Sequence, residues 1–108
     1  MAITLPRAIA DYFTADKGDA EDVAQCFTPD AVVTDEGQSY RGRAEIARWK
    51  AESSAKYEYT STPIAIEEVG DEVIVTSHLV GNFPGSPVDL RYFFKLAGGK
   101  IAALETAS

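Results

Sequence analysis

Residues 57–106, YEYTSTPIAIEEVGDEVIVTSHLVGNFPGSPVDLRYFFKLAGGKIAALET, decide the fold class. They divide at Gly70-Asp71, Pro84-Gly85 and Gly98-Gly99, dipeptides that favour tight turns. Between the turns lie strand candidates Tyr57–Val69, Glu72–Phe83 and Val88–Ala97, with a fourth from Lys100 to Thr106. Connections this short hold no crossover helix, so the strands read as an antiparallel meander. In the third strand Leu90, Tyr92, Phe94 and Leu96 share one face, while Arg91, Phe93 and Lys95 alternate with them on the other. Helices suffice to cover the fully apolar face. The partly apolar one needs another cover, and a second copy of the chain is the expected partner, giving a homodimer.

The preceding half carries helical periodicity. Leu5, Ala8, Ile9, Tyr12 and Phe13 recur at helical spacing, with Thr4 placed to cap and Pro6 tolerated in the first turn. Lys17-Gly18-Asp19 breaks the pattern. Asp19 then caps a short second helix with Val23 and Phe27 on one face, ended by Thr28-Pro29-Asp30. Ala31–Asp35 is a short strand candidate closed by the turn Asp35-Glu36-Gly37. A third helix follows Gly42, with Ile46 and Trp49 one turn apart and Ser53-Ser54 near its end. The layout is α+β, with three N-terminal helices on a curved, mostly antiparallel sheet, and residues 1–108 form a single domain.

Composition narrows the function. The 108 residues are 45% hydrophobic and 25% charged, as in an ordinary globular protein. A net charge of −7 without a basic cluster disfavours phosphate backbones and anionic lipid, so neither nucleic acid nor membrane is an expected partner. Cys26 is the sole cysteine and His78 the sole histidine, which excludes an intrachain disulfide, a thiolate cluster and a multi-histidine metal site. No signal-peptide pattern or long apolar run is present, and a soluble, cytoplasmic protein is expected. Without a phosphate loop, nucleotide fingerprint or nucleophile elbow, the expectation is cofactor-free chemistry or none. Glu67-Glu68 and Asp71-Glu72 flank a hairpin as solvated charge, and Cys26 reads as a small buried hydrophobe.

Residues 27–37, FTPDAVVTDEG, then Tyr40-Arg41-Gly42, Ile46 and Trp49, resemble the signature of the SnoaL-like group within the nuclear-transport-factor-2-like and ketosteroid-isomerase superfamily. Gly99-Lys100-Ile101 and the last apolar strand resemble that family's terminal hairpin. The resemblance implies a cone-shaped barrel around a pocket. In ketosteroid isomerase, chemistry rests on an Asp base and an oxyanion hole of Tyr plus protonated Asp. By position, the resemblance puts Asp35 at the base and Tyr12 near the oxyanion donor. Arg91 stands at the position of the protonated Asp, where it would act as a cation rather than a neutral donor.

The candidates carry two readings each. Asp35 is a desolvated base at the mouth of a cone, or a turn residue on the surface. Arg91 clamps an anionic oxygen, or pairs with Asp35 or Asp89, or lies along the sheet with its head in water. His78 shares a face with Arg91 if the turn at Pro84-Gly85 has two residues, and opposes it if the turn has three. It is a site residue or a structural one. By family position Trp49, Tyr40, Phe27, Phe93 and Leu104 line the pocket, or they are core. Tyr57 and Tyr59, two apart on a strand, line the cone or a subunit interface. The ligand implied is a small apolar or carbonyl-containing molecule, handled by an isomerase or cyclase or merely bound. The short chain implies a small or open cavity.

Overall fold

The computed structural model describes residues 4–107. Its elements are α1 (Arg7–Ala15), α2 (Ala20–Gln25), β1 (Phe27–Asp35), β2 (Gln38–Arg41), α3 (Gly42–Lys56), β3 (Tyr59–Val69), β4 (Glu72–Gly81), β5 (Val88–Ala97) and β6 (Lys100–Ala107). One six-stranded sheet has the order β2-β1-β6-β5-β4-β3. All neighbours are antiparallel except β1 and β6, which run parallel. The meander from β3 to β6 is therefore the one the turns dictate, and β1 returns beside its last strand.

Several local expectations need correction. Two helices precede the sheet, and the third lies between β2 and β3. Pro6, not Thr4, stands at the head of α1, its carbonyl accepting from the amides of Ile9 and Ala10 at 3.0 and 2.9 Å. Thr28-Pro29-Asp30 does not merely end α2. It already belongs to β1, whose pairing with β6 shifts register between Phe27 and Val32. Asp19 does cap α2, accepting from the Glu21 amide. The turn after Asp35 is a two-residue hairpin. Glu36 and Gly37 both take positive φ, 52° and 77°, the geometry that matches strand twist, and this folds β2 back on β1.

Alternation along the strands then fixes two faces. Val75, Ser77 and Leu79 of β4, Tyr92 and Phe94 of β5, and Ile101 and Leu104 of β6 are buried on the helix side. Against them α1 packs Ala8, Ile9, Tyr12 and Phe13, and α3 packs Ile46 and Trp49. The Tyr12 ring is the hub, edge-on to Phe13, Phe27 and Phe94 at centroid distances of 5.2, 6.0 and 5.6 Å. Each such buried ring contributes roughly 1.5–3 kcal/mol. No described helix is long and apolar enough to cross a membrane.

Gly81, the last residue of β4, lies against the Tyr59 backbone and the Glu58 carbonyl, where an added Cβ meets both closer than side chains normally come. The Gly81→Ala variant is expected to lose about 1–3 kcal/mol by overpacking, read as a lower urea midpoint at unchanged slope. An unchanged midpoint contradicts the packing described.

Candidate functional site

The concave side of the sheet is filled at one end by α1 and α2 and hollow at the other. The hollow is a cavity of about 840 Å³ opening to solvent. Its wall is aromatic: Tyr12, Tyr40, Trp49, Tyr59 and Tyr92, with Tyr57 and Phe83 also lining it. Such side chains pair an apolar body with a polar tip, so they shape a hollow without filling it. The cavity is open rather than small.

Asp35 is on this wall because β1 ends there, one residue before the hairpin turn. Its carboxylate is gripped from two directions. The indole Nε1–H of Trp49 on α3 donates to Oδ2 at 3.0 Å, and the hydroxyl of Thr106 on β6 donates to Oδ1 at 2.6 Å. A carboxylate offers about four acceptor positions, so two remain for a ligand. Tyr40 packs beside Trp49, ring centroids 6.2 Å apart, and completes that corner.

A second polar group lies within the same cavity. Lys50, next to Trp49 on α3, has a side chain only 2% exposed and is ion-paired with Asp16, the C-cap residue of α1, whose side chain is 6% exposed. The Lys50 ammonium also donates to the Tyr59 hydroxyl at 3.0 Å, and that hydroxyl turns toward the Asp16 carboxylate at 3.4 Å. A buried charge pair is tolerable only when its donors and acceptors are satisfied in this way.

Burial and these charges together set the state of three phenols. Burial, and then the Asp16 carboxylate, push the Tyr59, Tyr12 and Tyr92 hydroxyls well above the ordinary phenol value of 10.0, and for Tyr59 the hydrogen bond to Asp16 adds to this. The negative charge of Asp35 acts on all three in the same direction. The cavity thus presents a fixed carboxylate, the neutral phenols of Tyr12, Tyr59 and Tyr92, of which Tyr59 already donates to Asp16, and one buried ammonium, with Glu36, Glu52 and Lys56 also on its lining.

The profile of the SnoaL-like domain matches residues 7–104 of this sequence. The chain belongs to the SnoaL-like family. Among solved structures, it is similar to a candidate polyketide cyclase from Sinorhizobium meliloti, at 38% identity over 95% of each chain with a TM-score of 0.90. A protein of ketosteroid isomerase-like fold from Catenulispora acidiphila, crystallised with trimethylamine, shares 22% identity over 97% of this chain and 87% of its own, TM-score 0.85. TerC, co-crystallised with polyporic acid, shares 19% over 93% and 87%, TM-score 0.78. No curated protein matches the sequence. These likenesses give the SnoaL-like chain the nuclear-transport-factor-2-like fold.

Against that frame the expected site residues separate. Asp35, Tyr12, Trp49 and Tyr40 share the cavity wall. Arg91 and His78 do not reach it. Both face outward on the sheet, where His78 Nδ1 meets Asp89 Oδ1 at 2.8 Å and the Arg91 guanidinium lies 5.5 Å from the Phe93 ring centroid. The reason is parity: Tyr92 faces the cavity, so Arg91 beside it cannot. The β4–β5 pairing sets His78 opposite Asp89 and Thr76 opposite Arg91, two residues away from the register of a tight turn at Pro84-Gly85. A slip of two keeps the face and changes the partner.

Phe27 and Leu104 are core, at 0% and 1% exposure, and Phe93 lies on the outer face, so none of the three lines the cavity. Lys50, Asp16, Thr106 and Tyr92 went unforeseen. A signal for two of them was in the helical arithmetic. Lys50 follows Ile46 by four and Asp16 follows Tyr12 by four, so each charge continues a buried stripe.

The raised phenols give a pH test. Stability conferred by keeping Tyr12, Tyr59 and Tyr92 protonated is complete below the ordinary phenol value and is lost as pH climbs above it. Absorbance at the phenolate band is expected to show these three ionising only together with alkaline unfolding. Reversible titration of all the tyrosines near pH ~10 in the folded protein is the contrary result.

Proposed function

We propose that this SnoaL-like protein takes up a small, largely apolar carbonyl compound and acts on it as a cofactor-free isomerase or cyclase. The observation that carries the reading is the fixed Asp35 carboxylate on the wall of an aromatic cavity in which burial keeps the Tyr12 phenol neutral. Asp35 removes a proton from the carbon next to the carbonyl. The C–H electron pair becomes the enolate double bond, and the carbonyl π pair moves onto oxygen. Tyr12 donates to that oxygen, and Trp49 packs the apolar body. The proton on Asp35 returns to a different carbon in an isomerisation; in a cyclisation the enolate carbon closes on a second carbonyl, whose π pair moves onto its oxygen and takes the proton from Asp35. The candidate polyketide cyclase from S. meliloti, similar over 95% of the chain, supports this class of chemistry.

A non-catalytic ligand-binding role is favoured by one observation, that both Asp35 oxygens already accept hydrogen bonds. The two readings part in heavy water. Incubated with a panel of cyclic ketones and β-diketones, the catalyst wash deuterium into the α-position, and Asp35→Asn slows this by roughly a hundredfold or more. Shifts in the emission of Trp49, the sole tryptophan, report ligand entry in both proteins. Binding without exchange across the panel leaves only the binding role.

We also propose that the chain works as a homodimer through the outer sheet face, where Ile74 and Phe93 are cross-strand partners. Light scattering is expected to give twice the 11.7 kDa chain mass, and Phe93→Glu to return the monomer. A monomeric wild type at tens of micromolar removes this part of the reading.

A further inference from the structure

We propose that Lys50 supplies the buried positive charge of the cavity, donating an N–H to the anionic oxygen of the bound ligand, whose class is then an enolisable carbonyl compound; Lys56, which also lines the cavity, is exposed. The inference rests on the proton-abstraction reading and deepens it. An ammonium has three N–H donors. Two meet protein partners here, the Asp16 carboxylate and the Tyr59 hydroxyl, and the residue lines the cavity. The third has no protein partner among the hydrogen bonds of the described residues. Tyr59 and Asp16 hold the ammonium in place, so no long side chain has to be ordered when the ligand arrives.

Charge balance argues for the same assignment. When Asp35 takes a proton it becomes neutral, and an equal negative charge appears on the ligand oxygen. A neutral phenol such as Tyr12 offers a hydrogen bond to that oxygen, while Lys50 offers a hydrogen bond and a charge from a side chain that is itself only 2% exposed. Asp16 offsets this charge in the resting state, which lets the pair be buried at all. Its carboxylate is engaged by both Lys50 and Tyr59 and is directed at them rather than at the cavity. Asp16 and Tyr59 are positioning residues in this scheme, and Lys50 touches the ligand.

The test uses 4-nitrophenol as a stand-in for the enolate, because its ionised form carries charge on one oxygen and absorbs separately from the neutral form. Asp35→Asn is the background, mimicking the protonated base that coexists with the enolate. Removing Lys50 alone would strand a buried Asp16 and risk unfolding, so the pair is replaced together as Asp16→Asn with Lys50→Met. Folding of each protein is checked by its thermal transition. Relative to Asp35→Asn, the triple variant is expected to bind 4-nitrophenolate roughly tenfold or more weakly, with the affinity for uncharged nitrobenzene changed less than twofold. Equal losses for both probes, no loss for phenolate, or no phenolate binding to Asp35→Asn would each overturn the assignment. Failure of deuterium exchange in the wild type bears on the proton-abstraction reading alone, since this binding difference is measured without turnover.

Discussion

The contact on which the site depends is the buried ion pair between Asp16 and Lys50, closed by the Tyr59 hydroxyl. It joins the end of α1 to the middle of α3 and the start of β3, so a residue at position 16 meets residues 50 and 59. Leaving either charge without its partner costs about 3–5 kcal/mol, a large share of the stability of a small domain. The two helices are therefore held at a set distance across the concave sheet. Apolar side chains alone would favour closing that gap, as cores pack to high density. Polar-tipped rings around a fixed ion pair keep it open.

The second constraint is local and sits on the other corner. The hairpin at Glu36-Gly37 stops β1 at Asp35, and Trp49 and Thr106 hold the carboxylate from α3 and β6. Trp49 and Lys50 are consecutive residues of one helix, so α3 serves both polar groups at once. A displacement of α3 would loosen the carboxylate and the ammonium together. Catalysis by positioned groups is sensitive to such small shifts, which makes this helix the rigid element of the site.

Much of the fold was legible because its signals are local and strong. Gly70-Asp71 and Gly98-Gly99 mark the turns where they occur, and the apolar alternation of Val88–Ala97 coincides with β5. β2 was not legible: four exposed or half-exposed residues, Gln38–Arg41, carry no alternation, and pairing with β1 makes them a strand. The register of β4 on β5 was hidden for a related reason. Pro84-Gly85 lies inside a longer connection between Gly81 and Val88, so the turn signal did not set the pairing.

The site was half legible, and the missed half follows from reading charges as surface. Asp35 and Trp49 could be placed from the family signature. Arg91 attracted attention as a charge within an apolar strand, yet the alternation that buries Tyr92 already sends Arg91 outward. Lys50 and Asp16 lie on buried helical faces, where periodicity marks them as internal, but a residue's class is a poor guide when its partner comes from another element.

The central claim is that a ligand oxygen sits between the polar groups of this cavity, with its carbon skeleton against Trp49. A crystal structure of Asp35→Asn with a bound phenolate tests this most directly. The account predicts the phenolate oxygen within about 3 Å of Lys50 Nζ and the Tyr12 hydroxyl, the ring packed on Trp49 and Tyr40, and the Asp16–Lys50 pair intact. A cavity found collapsed, or a ligand held elsewhere with Lys50 enclosed by protein on every side, would contradict it.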